Sequence, residues 1–244
     1  MLEVQDTKTK LQLVKLTHWR NAFWWSTGFY IFWCLYFYFY REELVFSNFV
    51  FALCSTAMVM IAVSFMFGTF TFYTDFLDSK LSYRKYFGLI GYWYAVGYVL
   101  LLMLIDPQNF FFRPLTGDIS RDQLLGLTAM LILTFMMSIS YDAAMVKIGP
   151  KLWRSCLRLG YLVYPLFISR AYILDNQAWF AWLADPYGSL PPPSLVASCI
   201  GVLVILFRLS VLPVKFTRKL FGTYKSKAII THIDHPQATR EVES

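Results

Sequence analysis

Apolar runs of about the length of a bilayer crossing recur along this chain, and most charge lies in the links between them or at their ends. That alternation constrains the fold most. A helix needs about 20 predominantly apolar residues to cross the hydrocarbon core, and runs near that length lie at about Ala22–Tyr40, Ser47–Tyr73, Gly88–Ile105, Gln123–Tyr141, Lys151–Asp175 and Ser194–Val214. Only 15% of the 244 residues are charged, against about 25% in an ordinary soluble domain. With no water to satisfy the backbone in lipid, apolar segments of this length cross as helices. The expectation is an all-α, polytopic membrane bundle of six transmembrane helices.

The links set the orientation. Lys and Arg number four before the first run (Lys8, Lys10, Lys15, Arg20) and three between the second and third (Lys80, Arg84, Lys85). There are four around the start of the fifth (Lys147, Lys151, Arg154, Arg158) and six in the tail after Val214. The alternate links hold Arg41 alone, then Arg113 and Arg121, then none. Positive residues stay on the cytoplasmic side, so both termini are expected there. The chain divides into a basic N-terminal segment 1–21, a membrane domain 22–214 and a basic, mobile tail 215–244. The net charge of +7 is thereby a topology signal, and no nucleic-acid partner is expected. The first run carries no small-residue cleavage site, so no signal peptide is expected to be removed.

Within the third run, Gly88, Gly91 and Ala95 fall on one helical face, a spacing that lets two helices approach closely. The four cysteines (Cys34, Cys54, Cys156, Cys199) show no CxxC spacing and read as small membrane-core residues. Of the three histidines, His18 precedes the first run and His232 and His235 lie in the tail. Two intramembrane imidazoles are therefore not available to hold a haem. Met136-Met137 reads as core filler, and Asp106, Asp142 and Asp175 as solvated carboxylates at helix ends. Arg208 reads as a side chain reaching the cytoplasmic surface.

The charge that lies well inside a run rather than near its end is Arg170. An ionisable side chain inside an apolar span costs about 2.5–3.5 kcal/mol on insertion scales and marks a candidate functional site.

Arg84-Lys85-Tyr86-Phe87-Gly88-Leu89, followed by Tyr92, Tyr94 and Ala95, resembles the third-span entry of the ferric reductase-like transmembrane domain family. Within it, the likeness is greatest to haem-binding membrane subunits of bacterial methionine sulfoxide reductase systems. The stretch Ser138 to Tyr172, with Met145, Gly149, Trp153-Arg154 and Leu159-Gly160-Tyr161-Leu162, resembles it again. The likeness covers roughly Leu81 to Phe207. It implies six spans in a bacterial inner membrane, with haem ligands on the third and fifth. The implied positions are Tyr98, Leu157 and Arg170, none of which is a histidine.

Three readings of Tyr98 and Arg170 follow. Arg170 reaches outward to the headgroups and Asp175; or Tyr98 and Arg170 form a structural polar pair across the vacated haem space; or Tyr98 ligates a single haem b as a phenolate, favoured by the adjacent cation. Leu157 cannot ligate. The leading expectation is a haem-depleted member with no cofactor and no catalysis of its own, acting as a subunit or scaffold held with other membrane proteins in the lipid bilayer. The alternative is a transmembrane electron-transfer oxidoreductase subunit with a non-histidine haem. A third reading is a transporter or channel using Arg170. The chain carries neither P-loop nor GxGxxG.

Overall fold

A computed structural model describes residues 2–73, 83–112, 117, 119–140, 144 and 147–211. Lys80, Arg113, Asp75, Asp78, Asp118, Asp142, Met145 and the tail 215–244 with His232 and His235 lie outside that set, as do the side chains of Lys8, Lys10, Lys15, Lys151 and Arg154. Among the described residues every regular element is helical.

Helix α1 (Leu2–Arg41) is one continuous rod. It carries both the basic segment 1–21 and the apolar run from Ala22. Polar residues alone do not stop a helix, and neither glycine nor proline occurs before Gly28. The stop comes at Glu42, which takes a left-handed conformation (φ 56°) while its N–H donates to the Tyr38 carbonyl at 2.8 Å. This is the αL cap that glycine normally fills, and it costs about 1 kcal/mol for a side chain with a Cβ. Glu42→Gly is therefore expected to stabilise the protein by about 0.5–1 kcal/mol, read as a higher midpoint in detergent unfolding. A lower midpoint would mean that the Glu42 carboxylate contributes more than its backbone strain removes.

Helix α2 (Phe46–Tyr73) is apolar on every face, the pattern of a helix enclosed by others. In its most apolar stretch 67% of residues are buried, against 11% for α3 (Tyr83–Ile105) and 6% for α4 (Arg121–Ile139). It packs on α1, on α3 and on the last helix of the chain. The hydroxyls of Thr56 and Thr69 return to the carbonyls of Ala52 and Phe65, at 2.7 and 3.2 Å. That spares two buried polar groups an unpaired state.

The small-residue face of α3 meets α2 directly. A Cβ added at Gly91 would lie 2.8 Å from Ile61 Cγ1 and 3.2 Å from the Ala57 carbonyl oxygen. Beside Gly88, Ser64 Oγ donates to the Arg84 carbonyl at 2.7 Å. Helix α3 ends at Ile105, before Pro107 as expected. Asp106 then accepts from the Asn109 backbone N–H (3.2 Å) and side chain (2.6 Å) in a π-helical turn, Gln108–Phe112. At the start of α4 the Ser120 N–H donates to Gln123 Oε1 at 3.2 Å, and Gln123 Nε2 donates to the Asn109 carbonyl at 2.6 Å.

The fifth run is broken. It comprises α5 (Pro150–Arg158), a 3-10 turn (Leu159–Leu162) and α6 (Val163–Ala184). Pro165 is the physical reason: it has no N–H to donate to Tyr161, and its ring crowds that carbonyl. The tighter turn fits because Gly160 sits against Phe65 and Met136, with no room for a Cβ. Helix α6 does not stop at Asp175; it bends there (φ −124°, ψ 16°) and continues to Ala184. Helix α7 (Pro193–Leu209) closes the bundle against α2 and α6.

Among the described residues three helices are long and apolar enough to cross a membrane: Phe46–Phe70 within α2, α3 and α4; α7 is apolar but shorter. Residues 22–40 of α1 are rich in phenylalanine, tyrosine and tryptophan, and α6 carries Arg170, Asp175, Asn176 and Gln177. Aromatic side chains with polar handles suit a membrane interface as well as a core.

Candidate functional site

Antiparallel alternation gives the bundle two ends. At one lie the close of α3, the start of α4 and the middle of α6. There Arg170 Nη1 donates to the Tyr98 hydroxyl at 3.3 Å, and its Cζ stands 6.0 Å from the Tyr98 ring centroid. Tyr98 is 8% exposed. The pair borders a cavity of about 300 Å³ between α2, α3, α4 and α6, lined mainly by apolar side chains such as Ala57, Met58, Ala95, Met130 and Phe167. Its polar groups are Tyr98, Arg170, Gln123 and the Cys54 thiol. A concave apolar space with few convergent polar groups has the general form of a small-molecule site.

The arginine reaches this position because α4 lets it pass. A Cβ at Gly126 would meet Arg170 Nε at 3.2 Å and Cδ at 3.4 Å. Arg170 Nε is itself buried without a hydrogen-bond partner. The guanidinium thus bonds to Tyr98 across the bundle rather than to Asp175 on its own helix. Gly126 was not legible as part of a site. A lone glycine in an apolar run is the signal, and it is a weak one.

Leu157 is not at this site. It lines a second cavity, of about 440 Å³, at the opposite end of the bundle, with Tyr161 and Arg208. Among the expected site residues, then, Tyr98 and Arg170 come together and Leu157 stands apart. His18 packs between α1 and α3, its ring 4.1 Å from that of Tyr83 and 5.8 Å from that of Tyr86.

A haem gripped between α3 and α6 requires lone-pair donors. Arginine has none, because it stays protonated, and leucine has none at all. Of the three positions implied by the resemblance, the Tyr98 oxygen alone has a lone pair, and it already accepts the hydrogen bond from Arg170. These residues do not fit a haem held by two axial ligands. Among the described residues no cluster of three or more His, Cys, Asp or Glu gathers to hold a metal ion. No family model matches the chain, and no curated protein matches it in sequence.

Proposed function

We propose that this protein is a six-span membrane subunit with both termini cytoplasmic, a haem-less relative of the ferric reductase-like transmembrane domain that serves as a scaffold in a larger membrane complex. The observation that carries the reading is the Tyr98–Arg170 hydrogen bond of 3.3 Å. Where the family resemblance expects axial ligands, the two side chains satisfy one another. The distribution of basic residues supports the orientation. Arg20, Arg84, Lys85, Lys147, Arg158 and Arg208 belong to one end of the bundle, and Arg41 and Arg121 to the other. A scaffold role also accords with the large aromatic surface on α1, where Phe23, Trp24, Trp25 and Phe39 are each at least 60% exposed. Patches of that kind bind lipid or other helices.

The arrangement also favours one second reading. A cation at hydrogen-bond distance favours a phenolate, and a Tyr98 phenolate is able to ligate a haem iron. In that case the protein is an electron-transfer subunit.

A single preparation separates the two. The full chain is extracted in mild detergent, its partners are identified, and its absorption is recorded oxidised and dithionite-reduced. The scaffold reading expects co-purified membrane protein and a flat visible spectrum. A stoichiometric Soret band that Tyr98→Phe abolishes would replace it with the electron-transfer reading. Recovery of a lone, colourless species would remove both.

A further inference from the structure

The second cavity sits at the end of the bundle opposite Tyr98. It opens between α2, α3, α4, the 3-10 turn and α7. Arg84, Lys85, Arg158 and Arg208 all line it. No aspartate or glutamate is among the described residues that do so. The hydroxyls of Ser64, Tyr92 and Ser140 border the same space.

Two of the guanidinium groups are held in place by packing. Arg84 lies over the backbone at Gly68, where an added Cβ would meet its Nη1 at 2.7 Å and its Cζ at 2.9 Å. The Arg208 Cζ stands 5.1 Å from the centre of the Tyr161 ring. Arg84 and Arg208 line the same cavity from α3 and α7.

Converging cations in a half-buried space are unfavourable unless an anion offsets them. If the arginines served only to reach cytoplasmic water, their heads would diverge into it. Instead α3 and α7 bring theirs around one cavity. Phosphoryl oxygens suit this set, since guanidinium forks match their geometry.

We propose that this cavity binds a phosphoryl anion, with Arg84 and Arg208 as its walls and Arg158 at its rim. Under the membrane orientation proposed above, it faces the leaflet that holds anionic headgroups, and basic pockets between helices bind such headgroups. An anionic phospholipid and free phosphate present the same chemistry, and titration distinguishes them.

The test uses the full chain purified in an uncharged detergent and stripped of lipid. Phosphatidylglycerol, phosphatidylcholine of the same acyl chains and inorganic phosphate are each titrated while thermal unfolding and bound lipid (by native mass spectrometry) are followed. Phosphatidylglycerol is expected to bind saturably and raise the Tm, and phosphatidylcholine to do neither. Arg208→Gln is expected to weaken binding about fivefold. Arg158→Gln, at an exposed position, is expected to weaken it in the same direction without loss of folding. Arg121→Gln at the other end is the unaffected control. A Tm rise with phosphate alone would keep the site and assign it to a soluble anion, and that arm holds whatever the number of spans or their orientation. Equal binding of the two lipids with no response to phosphate would overturn the proposal. So would binding that is unchanged in both Arg208→Gln and Arg158→Gln.

Discussion

Tyr98→Phe is expected to destabilise the protein by about 1.5–3 kcal/mol, the range for losing a hydrogen bond to a charged group. The substitution keeps the ring and removes one oxygen. Arg170 then retains its charge in a cavity whose other polar groups are Gln123 and Cys54, with Nε already unpartnered. The reverse change behaves differently. Arg170→Met removes the charge together with its desolvation cost, and an apolar side chain of similar length packs against Gly126 and the apolar wall. Replacing a buried charged group with a well-packed apolar one is often neutral or stabilising, whereas removing its partner is costly. Arg170→Met is therefore expected to lie within about 1 kcal/mol of the parent, and the double variant to recover most of the Tyr98→Phe loss. The measurement is a double-mutant cycle read by unfolding in mixed micelles. Equal and additive losses in the two single variants would mean that the hydroxyl and the guanidinium do not act as a pair.

The other large effect is at Gly91. Gly91→Val is expected to cost about 3 kcal/mol, the upper end of the range for overpacking. The reason is what stands opposite. Of the atoms nearest an added Cβ, two belong to the α2 backbone, the Ala57 oxygen and the Ile61 nitrogen, both at 3.2 Å. Backbone cannot rotate away, so α2 and α3 must separate. At Gly160 the crowding atoms are the ends of the Met136 and Phe65 side chains rather than backbone. Its valine variant should cost less than Gly91→Val. Gly97 provides the internal standard, because nothing lies within 4 Å of a Cβ built there. Gly97→Ala should stabilise by up to about 1 kcal/mol through helix propensity alone. Similar values for Gly91→Val and Gly97→Val in the same unfolding assay would show that α2 and α3 are not in close contact.

Local chemistry accounts for what was legible. Asp106-Pro107 ends α3 because proline acts on its own neighbourhood. Gly88 and Gly91 marked a packing face because a 3.6-residue period is a property of any helix. The uninterrupted course of α1 from Leu2 accords with the absence of glycine and proline before Gly28. The break at Leu159–Leu162 was available in principle from Pro165, but Gly160 tolerates it only because Phe65 and Met136 occupy the space that a side chain would need.

The site shows the same division. Arg170 stood out in sequence because a charge in an apolar run is costly wherever that run packs. Which partner offsets the cost depends on residues far away along the chain: Tyr98 on α3 and the gap at Gly126 on α4. The cationic cavity is a sharper case. Arg84, Arg158 and Arg208 each read as ordinary residues at the basic end of a helix, and no local pattern relates them.

The sequence by itself determined the helical class, the apolar character of the helices and the asymmetry of charge between the two ends, because all three depend on the solvent each segment prefers. Only the tertiary structure decided that Arg170 bonds to Tyr98 and that the arginines of α3 and α7 surround one space. Such juxtapositions depend on how helices rotate about their axes, and that rotation is set by where glycines allow backbones to meet.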